Sequence, residues 1–467
     1  MSSRRSFLLG AGFGAGALYL GGAGMRHAFN IKDRPPWVTE HAVDSFWLEG
    51  AGFYDYPPRP PLNHRHHTTD ILIIGGGFTG LSTAWHLLQT RPEARITLID
   101  AARCGFGASG RNGGWCMGAN YLAFFSAPQL SRAAHDFMSA GVEIVRGLDQ
   151  EEGIPCDFTP AHQLRVVRER DDLPLVDRTA EAIAELGLGV ERLDAEALTR
   201  RYHTEHFVGG AIFADGSANI QPVKLALGLR NRLLESPVEI FEGTKVMSID
   251  YGARPTVQTE FGTIEAGEIV LATNAYTHSY GAFKNRYAPV ISHVIATEPL
   301  RASQRAAIGF SEGEQLNVGD SGEGFFYAIM TADHRIVIGG DRGPTHHYGS
   351  KLHSGNLRSR TDYLEDYLTR RIWPQLEGTR ITHRWGGNIC VTRDLLFSLG
   401  RTKEHDRVYY ALGYTGEGVS TSFAAGKALA ELMAGLDTEL TRSPFIDRPL
   451  GLIPQDPLRS PLIRLLS

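Results

Sequence analysis

Apolar residues along the chain fall into two kinds of run. Short consecutive blocks, rich in Val and Ile, read as strands buried on both faces: Asp70-Ile71-Leu72-Ile73-Ile74, Ile96–Ile99, Val238–Phe241, Lys245–Ile249, Ile269–Ala275 and Val408–Gly413. Elsewhere apolar residues recur at helical spacing. Leu81, Ala84, Trp85 and Leu88 mark a helix after the first block, and Phe137, Val142, Val145 and Leu148 mark one face of a helix over 131–149. Helices are also predicted over 180–186, 222–234 and 357–373, after Tyr414–Val419 to about Ala434, and from Asp194, whose side chain suits an N-cap. Gln163–Val167 reads as a strand, and Thr256–Glu260 and Thr263–Ala266 as a hairpin turning at Phe261-Gly262. Val290–Thr297, Phe325–Met330 and Arg335–Gly340 read as an antiparallel set turning at Ala332-Asp333-His334.

A chain of 467 residues is too long for one small core, so two domains are expected. The formal charge of −5 argues against a nucleic-acid partner and against general attraction to anionic lipid. Ser3-Arg4-Arg5-Ser6-Phe7-Leu8-Leu9, followed by a Gly/Ala-rich apolar stretch, has the form of a twin-arginine signal over residues 1–30. Its partner would be the twin-arginine export machinery and its destination the periplasm. The apolar stretch lacks a clean cleavage site, so an uncleaved membrane anchor is the alternative. Residues 31–67 are rich in Pro and aromatics and read as an extended arm, with Trp37 and Trp47 docking into grooves. His64, His66 and His67 there read as a solvated linker in preference to a metal site, and no metal site is expected.

The chemistry concentrates after the first strand. Gly75, Gly77 and Gly80 supply G-x-G-x-x-G, with Phe78 and Thr79 between them, and Asp100 ends the second strand about 20 residues later. Strand, turn, helix, strand and acid in this order bind a dinucleotide: the glycines admit the pyrophosphate to a helix N-terminus and the acid takes the ribose hydroxyls. The motif does not separate FAD from NAD.

Ile73–Ser82, taken with Gly107-Ala108-Ser109-Gly110-Arg111-Asn112-Gly113-Gly114, resembles the FAD-dependent D-amino-acid oxidase superfamily, in the branch of γ-glutamylputrescine oxidoreductase, glycine oxidase and sarcosine oxidase. The resemblance runs from about Trp37 to the C-terminus. It implies an α/β fold: a Rossmann-like FAD-binding domain (68–118, 207–284 and 383–440) interleaved with a mixed-sheet α+β substrate domain (119–206 and 285–382), then a tail over 441–467. It implies FAD contacts at Ala108–Gly114, at the Val246 backbone, at Thr273 and Asn274, and at Gly413, Tyr414, Thr415, Gly416, Glu417, Gly418 and Val419. Relatives commonly have His where this chain has Glu417, and a carboxylate there would oppose an anionic reduced flavin. Some relatives attach flavin through a cysteine near Cys390, which stands a few residues off that position, so non-covalent FAD is expected. Tyr327 and His293 are the pocket candidates for catalysis.

The implied activity is oxidation of the C–N bond of a small amine or amino-acid derivative, by hydride transfer to flavin N5 and hydrolysis of the resulting imine, with oxygen or a carrier as electron acceptor. Several relatives carry an arginine before the Ala332–His334 turn, suited to a substrate carboxylate. Phe325–His334 has none, which argues against a simple α-amino acid. The alternatives are a hydroxy-acid or polyol dehydrogenase on the same fold, and a non-catalytic flavin-binding assembly protein. Cys104, Cys116, Cys156 and Cys390 form no C-x-x-C pair, and Cys104 and Cys116 are expected as buried free thiols.

Overall fold

The structure is a computed structural model that describes residues 45–119, 127–310, 315–320, 326–340, 345–346, 352 and 358–459. The twin-arginine segment, Trp37 and Phe325 lie outside the described residues.

The strand His66–Ile74 lies at the centre of the first of two eight-stranded sheets. It pairs in parallel with Ile96–Ile99 on one side and Thr263–Leu271 on the other. Ile71, Leu72 and Ile73 are fully buried, as a parallel strand covered on both faces requires. The hairpin over 256–266 and the buried block beginning at Ile269 share one continuous strand. Thr263–Leu271 pairs with Thr256–Thr259 through its first three residues and with Val408–Leu412 through its last three. His66 and His67 belong to the central strand and not to a linker, and the ring Nε2 of His67 lies 3.0 Å from Thr97 Oγ1.

The helices Phe78–Thr90, Ser131–Gln150, Pro222–Leu234 and Gly418–Met433 share one core with the Ile71 and Ile73 face of this sheet. Small residues set their spacing. A Cβ on Gly426 would stand 2.5 Å from Ser82 Cβ, and one on Gly141 would overlap the Ser420 carbonyl. The helix Pro222–Leu234 begins where expected, with Gln221 Oε1 accepting from the amides of Val223 (2.7 Å) and Lys224 (2.9 Å). Asp194 caps its helix through Ala197 N at 2.8 Å.

The second sheet runs, edge to edge, Ile381–Thr392, Tyr287–Thr297, Ile336–Gly339, Tyr327–Met330, Leu316–Asp320, His162–Val167, Gly209–Ala214 and Gly189–Asp194. Two of these strands differ from the spans read from sequence. Gly209–Ala214 falls in the span 207–284 expected for the FAD-binding domain, and it pairs between two strands of the second sheet. Ile381–Thr392 does not return to the first sheet either, pairing with Tyr287–Thr297 along nearly its whole length. One is a short apolar segment and the other a 12-residue strand of mixed polarity, and in each a distant partner decides which sheet it joins.

The aromatic arm is not wholly extended. Ser45 caps a one-turn helix, Phe46–Gly50, which buries Trp47 to 1% exposure. The C-terminal stretch is tied down at Arg286, which donates to Leu450 O (3.0 Å), and at Asn285 O, which accepts from Ile453 N (2.7 Å).

Candidate active site

The turn after the central strand is built without side chains because there is no room for them. Gly75 sits at φ +110°, and a Cβ there would lie 2.6 Å from Ala272 O; a Cβ on Gly80 would overlap the Gly75 carbonyl. Asp100 closes the loop. Its Oδ2 accepts from Gly76 N (2.8 Å) and its Oδ1 from Ala102 N (2.7 Å). Burial pushes its carboxyl up to about 6, although both backbone N–H bonds favour the ionised form. Ser109 Oγ accepts from Phe78 N (2.9 Å), the first amide of the helix that follows the glycines. Thr79 Oγ1 meets Tyr414 OH at 2.7 Å, joining the N-termini of Phe78–Thr90 and Gly418–Met433. Two helix N-termini with their partial positive charge therefore converge beside an acid, a donor set suited to pyrophosphate and ribose.

The glycine-rich segment runs from this loop to the second sheet. Asn112 spends its side chain on the segment itself: Nδ2 donates to Ser109 O (2.7 Å) and Oδ1 accepts from Gly114 N (2.8 Å). Gly110 O accepts from Ser45 Oγ (2.5 Å) and Asn112 O from Trp47 Nε1 (2.7 Å), so the arm helix braces the segment. Arg111 is buried, donates through Nε to Phe106 O (3.1 Å), and accepts at its carbonyl from Trp385 Nε1 (2.9 Å). A Cβ on Gly113 would overlap Cε2 of Tyr327.

Strand register assigns the pocket candidates to faces. Tyr327 and Val294 both stand opposite Gly339, so they share the face that looks onto Gly113. His293, the neighbour of Val294, is on the opposite face; it is buried, and its Nε2 lies 3.1 Å from Thr345 Oγ1. The structure does not bring His293 and Tyr327 together. On the Tyr327 face, Arg165, Ser292, Tyr327 and Ile389 are partly exposed among buried neighbours, marking the floor of a cleft that the glycine segment borders. Burial holds the Tyr327 phenol above its ordinary range, against a hydrogen bond with Ser292 that lowers it.

The remaining expected positions lie in turns, at a helix start and in the core. Thr273 Oγ1 lies 2.8 Å from Thr277 Oγ1, and Asn274 takes φ +42° just past the Ala272 carbonyl that crowds Gly75. Val246 is buried in the core beside Leu72 and Ile99. Gly413, Thr415 and Gly416 all have positive φ, and Thr415 N donates to Cys390 O (3.2 Å), pinning the turn to the second sheet. Glu417 is buried at the N-cap of the last helix, its amide donating to Tyr414 O at 2.9 Å, with Gly418 and Val419 forming the helix's first residues. Cys390 stands next to Ile389 and so on the other face; it is buried, and burial raises its thiol well above the usual range. All four cysteines are buried free thiols. Among the described residues no cluster of His, Cys, Asp or Glu could hold a metal ion.

Two features were not read from the sequence. One is the buried pair Arg230–Glu242, with Nε to Oε1 at 2.9 Å, behind the Asp100 loop. The other is Arg165, whose polar face in the strand His162–Val167 was visible as alternation with Leu164 and Val166, but whose neighbours were not.

The residues fit a flavin dinucleotide: no Cβ could stand at Gly76 (2.5 Å from Cys104 Sγ) or Gly80, and the paired helix N-termini and Asp100 supply its donors and acceptor. A family profile described as FAD dependent oxidoreductase matches residues 70–432. γ-Glutamylputrescine oxidoreductase of Escherichia coli (strain K12) is 29% identical over 409 residues, covering 85% of this chain and 90% of that protein. A probable oxidoreductase, OrdL, of Rhizobium meliloti (strain 1021) is 30% identical over 421 residues, covering 86% and 91%. The crystal structure of glycine oxidase from Geobacillus kaustophilus has the same fold, with a TM-score of 0.69 at 19% identity over 82% of this chain and all of that one.

Proposed function

The chain belongs to the family of FAD-dependent oxidoreductases, and from that premise we propose that it oxidises the C–N bond of a small amine or amino-acid derivative. The observation that carries this reading is the near full-length similarity to γ-glutamylputrescine oxidoreductase, a protein named for an amine that bears an amino-acid group. Fold alone would not choose among substrates.

Bound FAD supplies the acceptor for a hydride from the carbon next to the amine nitrogen. The chain's own residues do the rest. Gly75–Gly80, Asp100, Ser109 and the two helix N-termini hold the dinucleotide, and FAD is held without a covalent bond, because Cys390 faces away from the cleft. The Tyr327 face of the second sheet forms the floor on which the substrate rests. Tyr327 stays protonated at neutral pH and acts as a hydrogen-bond donor and a wall, not as a base. That suits loss of hydride from a neutral amine, which needs no strong base. Water entering the cleft then hydrolyses the imine.

The test is anaerobic bleaching of the flavin's visible band by a panel of amines, amino acids and hydroxy acids. Bleaching by amines supports the reading, and admitting air then separates oxygen from a carrier as acceptor. Bleaching by hydroxy acids alone would replace it with a hydroxy-acid dehydrogenase. A flavin that can be photoreduced yet responds to none of them would point to the non-catalytic alternative. We also propose export by the twin-arginine route, on the strength of the Arg4-Arg5 motif.

A further inference from the structure

We propose that the arm over residues 45–62 is a clasp that retains FAD, with Trp47 and Thr244 as positioning residues that act through the two segments holding the cofactor. The proposal rests on the FAD site described above and is independent of which substrate reduces the flavin.

The arm precedes the span 70–432 that the family profile matches, and it grips the chain at two places. The first is the glycine-rich segment. Ser45 Oγ donates to Gly110 O (2.5 Å) and Trp47 Nε1 to Asn112 O (2.7 Å). Gly114 sits at φ +78°, and a Cβ there would lie 2.9 Å from Trp47 Cζ2, so the indole packs against bare backbone. Gln221 Nε2 donates to Trp47 O (2.9 Å) and fixes this residue from behind. The braced segment carries Ser109, which accepts from the first amide of the helix Phe78–Thr90.

The second grip is on the loop around Asp100. Residues 57–62 read Pro-Pro-Arg-Pro-Pro-Leu, so only Arg59 and Leu62 have a backbone N–H there. Both donate to one short stretch: Arg59 N to Glu242 Oε2 (2.7 Å) and Leu62 N to Thr244 Oγ1 (2.9 Å). That stretch is joined in turn to the Asp100 loop. Thr244 N donates to Asp100 O (2.8 Å), Gly243 N to Ala102 O (2.7 Å) and Cys104 N to Glu242 Oε1 (2.9 Å). From the loop's side, Arg103 donates to Tyr56 O, and its guanidinium carbon stands 4.4 Å from the centre of the Phe53 ring. Every backbone donor of residues 57–62 is thus directed at the support of the ribose-binding acid. The four prolines suit this task, because they restrict the undocked arm and lower the entropy lost when it docks. Tyr54 and Pro57–Pro61 are exposed, so burial contributes little along this stretch and the hydrogen bonds decide where it lies.

One arm therefore holds two loops that one dinucleotide bridges. By linkage, FAD must strengthen the docking of the arm by the same factor by which the docked arm strengthens FAD binding. The backbone protons of the arm then report on the cofactor.

The test is hydrogen exchange, read by mass spectrometry on a peptide spanning residues 57–62, where the exchanging amides are those of Arg59 and Leu62. Stripping FAD should speed their exchange at least about fivefold, and restoring it should reverse the change. Thr244→Val keeps the shape of the residue and removes the acceptor for Leu62 N. It should raise the rate of FAD loss about tenfold and erase the FAD-dependent protection, whereas Thr244→Ser, which keeps the hydroxyl, should resemble the native protein. Trp47→Phe removes the donor at the other grip and should act in the same direction, should Thr244→Val fold poorly. Exchange indifferent to FAD in the native protein, or FAD loss unchanged in both variants, would overturn the proposal. Asp100→Asn separates this from failure of the FAD site. If that variant holds FAD as tightly as the native protein, the site itself is misplaced and the clasp falls with it. Weakened FAD binding in Asp100→Asn, with no FAD-dependent protection of the native arm, would remove the clasp alone.

Discussion

The ring of Tyr327 rests directly on Gly113, so that the flavin-side glycine segment and the substrate-side sheet touch through one aromatic ring and one missing side chain. Gly339 confines the same ring at its hydroxyl end. Gly113→Ala should therefore overpack a place where the ring cannot retreat, costing about 1–3 kcal/mol. Thermal unfolding of the apoprotein measures the loss. Tyr327→Ser should recover most of it in the double variant, since the two residues are in contact and their effects should not add. Additive losses would mean that Gly113 matters for some other reason.

Asp100 predicts a pH dependence. Its carboxyl is raised to about 6 by burial, so in the apoprotein the ionised form is disfavoured. This group contributes stability that is present below its unfolded value and lost as pH rises through about 6. Ribose hydroxyls donating to the ionised carboxylate reverse that preference, so FAD binding should release a proton. FAD affinity should then weaken as pH falls below about 6, by at most about tenfold per pH unit. Titration by flavin fluorescence between pH 5 and 8 reads this directly. Asp100→Asn should bind weakly and show a flattened profile; an unchanged slope in that variant would assign the linkage to another group.

Cys390 gives a quick check on how the cofactor is held. Its thiol is buried, raised by burial, and turned to the face away from Tyr327. Acid precipitation should release all of the flavin into the supernatant, and Cys390→Ser should leave flavin content unchanged. Flavin that stays with the protein pellet would contradict this.

What could be read from the sequence was what is local. The Gly75–Gly80 turn, Asp100 and the helix Phe78–Thr90 lie within a few turns of chain, and their spacing alone carries the geometry. Non-local pairing hid the rest. Nothing in Gly209–Ala214 or Ile381–Thr392 reveals which sheet each joins, because neither the short apolar strand nor the long mixed one carries a local mark of its partner. Arg165 was hidden for the same reason. Its alternation with Leu164 and Val166 showed a polar strand face, but only the register through Gly319 brings that face to Tyr327.

The N-terminal reading calls for fractionation. With Arg4 and Arg5 changed to lysine, protein found outside the cytoplasm in the native strain should remain inside and still carry flavin. Native protein found only in the cytoplasm would end the export proposal.

The buried pair Arg230–Glu242 supports the site from behind, and its geometry predicts an asymmetry. Both side chains are nearly inaccessible, at 3% and 1% exposure, and the contact is bidentate, with Nη2 to Oε2 at 3.0 Å. Glu242 also accepts from Cys104 N (2.9 Å), just past Asp100, and from Arg59 N (2.7 Å) in the arm, while Arg230 Nη2 donates to Pro57 O (2.9 Å). Burial alone would raise the Glu242 carboxyl, but the guanidinium and the two backbone N–H groups outweigh it and hold it below the ordinary value. Its contribution is therefore present at neutral pH and lost as pH falls through the acid range. Arg230→Met strands a buried carboxylate and should cost about 3–5 kcal/mol, measured by urea unfolding. Glu242→Gln keeps acceptors for part of the network and should cost less, and the double change Arg230→Met with Glu242→Leu should recover stability relative to Arg230→Met alone. The recovered protein would still lack the acceptor that fixes Cys104 N. Its FAD affinity should stay reduced even as its stability returns. Recovery of both together would mean that the pair serves the fold and does not shape the Asp100 loop.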